Sequence, residues 1–292
     1  MSKLVGKSIV KNYGKDKVLK NIDIEIETGK IYGLIGRNGV GKTTLLSILT
    51  AQNPATSGEV TLDGEPVWEN EKCLDRMCYS RELSPVTIFG TNNIKVKEYL
   101  RTAKAFYKNW DQEYAEELIK LFNINKKKAV GKLSKGQLSA ITIIIALASK
   151  AEITILDEPV AGLDVVAREQ FYKLIIEEYA ETGRTFIIST HIIEEAASLF
   201  EKVIILEDGQ VAIEENTEDL LARAYRISGQ DTIVDEATKD YKVFHPEVLG
   251  HNKVVTVLAD EPVSNFDCRV QVEPVSLQNL FFAMCSEERK EA

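Results

Sequence analysis

Apolar and polar residues follow one another in patterns that predict a mixed α/β fold. Strict alternation over residues 22–27 predicts a strand with one buried and one exposed face, as in an antiparallel sheet. The nearly continuous apolar run at 152–157 predicts a strand buried on both faces, as in a parallel sheet. Apolar residues at three- and four-residue steps predict helices at 42–50, within 98–122 and at 165–181. The remaining predicted elements are strands at 3–10, 31–35, 58–64, 185–189, 202–207 and 253–258, a polar turn at Lys11–Gly14 and a final helix at 276–285.

The order of these elements predicts two domains. Strands alternate with helices through residues 1–225, which indicates a doubly wound core. A helical block at about 83–150 is expected to be an insertion into that core. Residues 226–292 carry short alternating stretches and one helix, which predicts a small α+β extension.

Composition indicates which partners and which cell compartment the sequence favours. A net charge of −9 argues against a nucleic-acid-binding surface, which usually has a basic excess. Four cysteines form no CxxC pair and three histidines show no zinc spacing, so we expect reduced thiols and a cytoplasmic protein. The amino terminus lacks a signal-peptide pattern, and the longest apolar run, 140–148, is too short to cross a bilayer. Any membrane role is therefore expected to depend on a partner.

A glycine-rich segment between the strand at 31–35 and the helix at 42–50 matches the P-loop pattern. Its glycines allow consecutive amides to face one anion, and the amino end of the helix adds positive potential. Lys42 would place a charge at the β- and γ-phosphates, and the Thr43 hydroxyl would bind Mg²⁺. An ordinary glycine-rich turn is the alternative. The residues expected to bind a nucleoside triphosphate are Gly36, Arg37, Asn38, Gly39, Val40, Gly41, Lys42, Thr43 and Thr44.

Two adjacent carboxylates end the apolar strand at 152–157, in the arrangement called Walker B. Asp157 is expected to hold Mg²⁺, directly or through water. Glu158 is expected to polarise the water that attacks the γ-phosphate, since such sites act by positioning and electrostatics. The alternative is an exposed acidic turn after a buried strand.

Residues 133–137, Leu-Ser-Lys-Gly-Gln, resemble the signature loop of ATP-binding cassette (ABC) proteins, which is usually Leu-Ser-Gly-Gly-Gln. Ser134 and Gln137 also have the spacing of a capping box, so the segment is predicted to begin a helix. The resemblance implies that Ser134, Gly136 and Gln137 contact ATP held by a second subunit. It therefore implies a dimer with two ATP molecules between the subunits.

Further segments resemble the same family, in the family's order. Tyr13 lies where an adenine-stacking aromatic is expected, with an exposed turn tyrosine as the alternative. Residues 161–164 resemble the D-loop, and His191 resembles the switch histidine that contacts the γ-phosphate, with a structural histidine as the alternative. The resemblance spans residues 3–225. It implies a P-loop NTPase fold of the ABC cassette type, in which a RecA-like core carries an antiparallel β subdomain and a helical subdomain.

Two positions depart from the family pattern. Arg81 stands in the stretch 78–82 where the family usually has Gln, and a guanidinium has no carbonyl oxygen to offer Mg²⁺. Either Glu82 substitutes, or Arg81 contacts phosphate. We hypothesise that nucleotide binding survives and that coupling to a partner is altered. Lys135 replaces the usual glycine of the signature loop and adds positive charge near a phosphate.

The carboxy-terminal segment at 273–281 resembles the closing segment of bacterial drug-, antibiotic- and lipid-exporter ATPases. Together with Lys135 in the signature loop, this resemblance favours an export-type ATPase. The family resemblance implies an ATPase with Glu158, His191 and Lys42 as catalytic residues and with ATP and Mg²⁺ as cofactors. It implies a homodimer or heterodimer at the inner face of the membrane, bound to a separate permease through a groove at Arg81. A soluble ABC ATPase of translation or DNA repair, and a regulatory or sensor ATPase, are the alternatives.

Overall fold

The structure is a computed structural model that describes residues 2–83, 93–263 and 266–285. Part of the predicted helical insertion, residues 84–92, lies outside the described residues. The strands that are described are β1 (Lys3–Tyr13), β2 (Asp16–Glu27), β3 (Ile31–Gly36), β4 (Ser57–Leu62), β5 (Glu65–Pro66), β6 (Met77–Arg81), β7 (Ile153–Asp157), β8 (Thr185–Thr190), β9 (Lys202–Glu207), β10 (Gln210–Asn216), β11 (Ala224–Gln230), β12 (Lys242–Leu249), β13 (Asn252–Leu258) and β14 (Gln271–Pro274).

The α-helices in the same residues lie between these strands or follow them. They are α1 (Lys42–Leu49), α2 (Glu71–Leu74), α3 (Val96–Lys104), α4 (Gln112–Leu121), α5 (Lys135–Ala148), α6 (Val165–Thr182), α7 (Ile193–Ala196), α8 (Thr217–Ala222), α9 (Asp231–Thr238) and α10 (Leu277–Cys285). Among the residues that the structure describes, no helix has the length and apolar character needed to cross a bilayer.

One sheet is antiparallel and has the strand order β2-β1-β4-β5. In β2, Ile22, Ile24 and Ile26 are buried, whereas Asp23 and Glu25 between them are exposed. The alternation predicted from the sequence is therefore confirmed. Each buried isoleucine contributes about 2 kcal/mol of hydrophobic free energy.

The predicted polar turn at Lys11–Gly14 is wrong, because β1 continues through Tyr13 and the chain turns at Gly14 and Lys15. Register shifts lie between Ile9 and Val10 and between Lys11 and Asn12, and Lys11, Asn12 and Tyr13 all pair with β2. The buried Lys11 ammonium donates to the Asn53 side chain at 2.8 Å and to the Pro54 carbonyl at 2.6 Å. These acceptors satisfy a charge that the sequence pattern placed in solvent.

The largest sheet has the order β10-β9-β3-β8-β7-β6, and β3, β8, β7 and β6 run parallel. Every residue of β3, β7 and β8 is buried, which confirms for β7 the prediction of a strand buried on both faces. Because parallel neighbours end at the same edge, the segments after these strands lie together. This edge carries the start of the P-loop, Asp157 and the segment before His191.

The continuous helical pattern predicted within 98–122 is interrupted. Helix α3 ends at Lys104, Phe106 is 74% exposed, and α4 begins after Asp111. The Asp111 carboxylate accepts a hydrogen bond from the Tyr114 amide at 2.9 Å, so a strong N-cap starts a new helix there. The apolar spacing across 106–110 therefore does not belong to one helical face.

The chain separates into two compact units, Met1–His191 with Ile204–Glu214, and Ile192–Val203 with Glu215–Ala292. The second unit contains an antiparallel sheet of order β12-β13-β11-β14. Its small core is formed by Ile227, Val234, Val255 and Val257. Strand β13 and helix α10 confirm the elements predicted at 253–258 and 276–285, whereas the domain boundary at residue 225 stays a prediction.

Candidate functional site

The P-loop joins β3 to α1, the strand–loop–helix context that the motif requires. Gly41, the N-cap of α1, has φ 114°, and a Cβ there would lie 2.7 Å from the Leu19 side chain, so glycine is needed on both counts. No described side chain caps α1, and its first amides are therefore suited to an anion. Gly36 is buried, Arg37, Asn38 and Gly39 form the exposed crest, Val40 lies below it, and Thr43 and Thr44 lie in the first turn.

Lys42 is held beneath the loop that precedes it. Its ammonium donates to the Gly36 carbonyl at 2.7 Å and lies 3.7 Å from Glu158 Oε1, a distance typical of an ion pair rather than a hydrogen bond. Burial lowers the pKa of Lys42, while the carboxylates of Glu158 and Asp157 oppose that shift. The Gly36 carbonyl thus holds the buried ammonium beneath the exposed crest and close to Glu158.

Asp157 ends β7 and is surrounded by hydroxyl groups. Its Oδ2 accepts from Thr43 at 2.6 Å and from the Tyr79 phenol at 3.3 Å, and its Oδ1 accepts from Ser189 at 2.5 Å. Burial, and then the Asp157 charge, raise the pKa of Tyr79, so the phenol keeps its proton and donates. Hydroxyls from α1, β6 and β8 therefore fix the orientation of this carboxylate.

Glu158 has different neighbours, although it follows Asp157 directly. Its backbone adopts φ 50°, an uncommon conformation for a residue other than glycine, and its amide donates to the Ser189 hydroxyl at 3.0 Å. Oε2 lies 2.6 Å from His191 Nδ1. Oε1 is buried and has no hydrogen-bond partner among the described residues. The strained backbone turns this carboxylate toward Lys42 and His191.

The residues present fit a magnesium ion. The Thr43 hydroxyl and the Asp157 carboxylate are hard oxygen donors, and their oxygens lie 2.6 Å apart. The unpartnered Oε1 of Glu158 adds a third oxygen with no competing hydrogen bond in the described structure. Mg²⁺ in nucleotide sites takes one or two protein oxygens together with phosphate oxygens and waters. Thr43 and Asp157 would hold it.

The signature loop forms the start of α5. Ser134 and Gln137 form the predicted capping box, in which the Gln137 amide donates to the Ser134 hydroxyl and the Ser134 amide donates to the Gln137 side chain, each at 3.2 Å. A Cβ on Gly136 would lie 2.6 Å from the Gly162 carbonyl, so glycine lets the segment 161–164 pack closely. In the described structure, the polar contacts of these loop residues do not reach Lys42 or Glu158.

Tyr13 is placed apart from the carboxylates. Its side chain is half-exposed, and its hydroxyl accepts from the Asn53 side-chain amide at 2.6 Å. The Lys11 ammonium lies 5.0 Å from the centre of its ring. The aromatic face is thus held in a fixed place on the surface of β1.

The two departures from the family pattern lie near each other. Arg81 ends β6 opposite Asp157 in the strand register. Glu82, which the sequence offered as a substitute magnesium ligand, forms an ion pair with Lys135 at 3.0 Å. The charge that replaces a glycine in the signature loop is therefore matched by a carboxylate of the same chain.

Sequence reasoning missed Tyr79 and Ser189. Both lie on the strands that flank β7, and Ser189 lies directly opposite Asp157 in the register. A search for hydroxyls at the carboxyl ends of the strands on either side of the acidic strand would have found Ser189. Tyr79 lies in the stretch at 78–82, and its aromatic ring and neighbouring apolar residues carry no sequence signal that distinguishes it from a packing residue.

A protein-family model described as ABC transporter matches residues 19–161. The aliphatic sulfonates import ATP-binding protein SsuB of Zymomonas mobilis is 31% identical over 209 residues, which are 70% of this chain and 82% of SsuB. This chain belongs to the ABC transporter family. It is an ATP-binding subunit of that family and an ATPase.

One further relative matches this chain over most of its length, and a solved cassette structure matches it in fold. The ABC transporter ATP-binding protein YtrB of Bacillus subtilis is 27% identical over 94% of this chain and 95% of its own length. The solved dimeric structure of MJ0796, a bacterial ABC transporter cassette, has a TM-score of 0.63 at 25% identity and covers 73% of this chain and 98% of MJ0796. The predicted α/β cassette fold is confirmed.

Proposed function

We propose that this ABC ATPase works as a dimer that encloses two ATP molecules and drives a separate membrane permease, in the direction of export. One observation carries the catalytic part: Lys42, Thr43, Asp157, Glu158 and His191 converge at one edge of the parallel sheet. The family membership supplies the ATPase activity, and these residues are our assignment of where it occurs.

The P-loop binds the triphosphate. Its backbone amides, with the amino end of α1, face the phosphates, and Lys42 neutralises their charge. Tyr13 stacks on the adenine, as its half-exposed ring on β1 allows. Thr43 and Asp157 would hold Mg²⁺, which when bound would neutralise charge on the phosphate oxygens.

Hydrolysis relies on Glu158 and His191. The unpartnered Oε1 of Glu158 is free to accept a proton from the attacking water, while the contact between Oε2 and His191 holds the carboxylate in place. Lys42 remains within Coulomb range of the same carboxylate. His191 is half-exposed and is the residue expected to contact the γ-phosphate.

Dimerisation follows from the separate location of the signature loop. Ser134, Gly136 and Gln137 have no polar contact with the Lys42–Glu158 cluster in the described part of the chain, so we assign them to the ATP held by the second copy. The helix start at Ser134 offers a hydroxyl and the amides of Lys135 and Gly136 to a phosphate. That MJ0796 was solved as a dimer supports the dimeric state.

The permease is expected to bind a groove beside Arg81. A cavity of about 310 Å³ is lined there by Arg81, Tyr79, Tyr99, Phe106 and Tyr107, and a short helix of the permease would place apolar side chains in it. The chain would then be cytoplasmic and peripheral at the inner face of the membrane. SsuB is named as an import protein, so the export direction rests on the segment at 273–281 together with Lys135 in the signature loop.

Replacing Glu158 by Gln tests the proposal. The variant should bind ATP and lose turnover, because an amide cannot accept the proton from water, and it should accumulate as a dimer with ATP bound. Phosphate release measures turnover, and light scattering with and without ATP measures the ATP-dependent dimer. Glu181→Gln, an exposed position on α6, is the control. Wild-type turnover in the Glu158 variant would contradict the assigned role.

A further inference from the structure

Tyr79 connects two regions of the protein. It lies on β6, next to β7, and its phenol donates to Asp157 Oδ2 at 3.3 Å. The same residue lines the cavity beside Arg81 and Phe106. Tyr79 lies outside the P-loop and outside the acidic strand β7. It is two residues before Arg81, where this chain departs from the family pattern.

The three hydroxyls around Asp157 differ in what else they contact. Thr43 is itself an assigned metal ligand, and Ser189 also accepts from the Glu158 amide. Within the described structure, the Tyr79 hydroxyl has a polar contact with Asp157 alone. Removing the Tyr79 hydroxyl therefore removes one hydrogen bond to Asp157. It leaves the P-loop, the general base Glu158 and the phosphate-binding groups unchanged.

We propose that Tyr79 is a positioning residue that orients the Asp157 carboxylate for Mg²⁺. The inference rests on the proposed function, in which Thr43 and Asp157 bind the ion. A ligating carboxylate keeps its geometry only when its surroundings hold it, and loss of such a supporting hydrogen bond typically lowers metal affinity by about 10- to 100-fold. The 3.3 Å contact is long for a hydrogen bond, so we expect about tenfold.

The effect of Mg²⁺ on nucleotide binding provides a readout that does not depend on turnover. Wild type and Tyr79→Phe are each titrated with Mg²⁺ in the presence of a fluorescent, non-hydrolysable ATP analogue. The Mg²⁺ concentration at half-maximal binding should rise about tenfold in the variant. Binding of the analogue in EDTA and the thermal unfolding temperature should stay at the wild-type values, since the ring and its packing remain.

Two further variants separate the possible outcomes. Tyr99→Phe removes a phenol from the same cavity and should leave the Mg²⁺ midpoint unchanged. Asp157→Asn should weaken the Mg²⁺ dependence more than Tyr79→Phe does. If Asp157→Asn leaves the midpoint unchanged, the assigned metal site is wrong. If Asp157→Asn shifts it but Tyr79→Phe does not, or if Tyr99→Phe shifts it equally, the role given to Tyr79 is overturned.

Discussion

Asp157 and Glu158 are adjacent in sequence, yet their side chains have chemically different partners. Hydroxyls contact Asp157, whereas a cation and an imidazole contact Glu158. Neutral donors fix a carboxylate without removing its charge, which suits a metal ligand. A carboxylate with one oxygen free of hydrogen bonds suits proton transfer. The positive φ of Glu158 separates the two side chains and is backbone strain located at the site.

Ser189 donates to the Asp157 carboxylate and accepts from the Glu158 amide, so its removal should affect catalysis more than binding. In Ser189→Ala, Asp157 Oδ1 loses its donor, and we expect a loss of about 1–3 kcal/mol in the free energy of unfolding. Turnover should fall while the KM for ATP changes little, because the P-loop is untouched. Urea unfolding and steady-state kinetics measure the two effects.

Ser47→Ala is the matched control, since the Ser47 hydroxyl donates to a carbonyl within α1, that of Thr44 at 2.8 Å. It should retain wild-type turnover. A Ser189 variant with normal turnover, or one that fails only in binding ATP, would show that Ser189 does not position the Asp157 carboxylate and the Glu158 backbone.

At the scale of elements, the sequence predicted those parts of the fold that depend on local pattern. The alternation in β2, the apolar strands β3 and β7, and the capping box of α5 were predicted from residues close to one another in the chain. The P-loop and the acidic strand end likewise carry their chemistry in consecutive residues. Such features need no knowledge of the tertiary structure.

Other features depend on contacts between distant segments. Tyr79 and Ser189 acquire their roles only because β6 and β8 flank β7. Lys135 gains a partner in Glu82 only when α5 packs near the end of β6. Sequence pattern carries no information about these pairings.

One turn residue links the beginnings of several strands. Asp63, after β4, accepts from the Lys3 amide and from Arg76 at 2.8 Å each, and from the Ser2 hydroxyl. Arg76 also forms an ion pair with Glu152, at 2.7 Å, just before β7. Hydrogen bonds from Ser2 and Arg76 lower the pKa of Asp63 from 3.8 to about 2.

This linkage predicts a pH-dependent contribution to stability. The folded-state pKa lies below the unfolded one, so the contribution is present above pH 3.8 and is lost as the pH falls toward about 2. Asp63→Asn should lower the free energy of unfolding near neutral pH by about 1 kcal/mol or less, because solvent screens the partly exposed carboxylate. Urea unfolding at about pH 6 and about pH 3 measures the difference, which should narrow at the lower pH.

Asp16→Asn is the control, an exposed aspartate without an ion pair in the described structure. The free energy of unfolding of Asp16→Asn should be close to that of wild type at both pH values. If the free energies of unfolding of Asp63→Asn and wild type differ by the same amount at both pH values, the charge of the Asp63 carboxylate is not what links the strands.

At the scale of the whole molecule, the candidate site is distributed over two places in one chain. The cluster at the edge of the parallel sheet contains Lys42, Asp157 and Glu158, whereas the start of α5 contains Ser134 and Gln137. Among the described residues, no hydrogen bond or ion pair joins the two places. Each copy is therefore expected to supply the phosphate-binding loop of one ATP site and the signature loop of the other.

Complementation between two inactive variants tests this central claim. Lys42→Ala removes the phosphate charge, and Ser134→Asp keeps the helix cap but places a negative charge against the phosphate. Ser134→Asn, a neutral cap, is the control and should retain more turnover than Ser134→Asp.

The measurement is ATPase activity of each variant alone and of the two mixed. We predict that neither hydrolyses ATP alone and that the mixture recovers activity, because the mixed dimer has one intact site. An inactive mixture in which mixed dimers are present, or full activity of Ser134→Asp alone, would contradict the account.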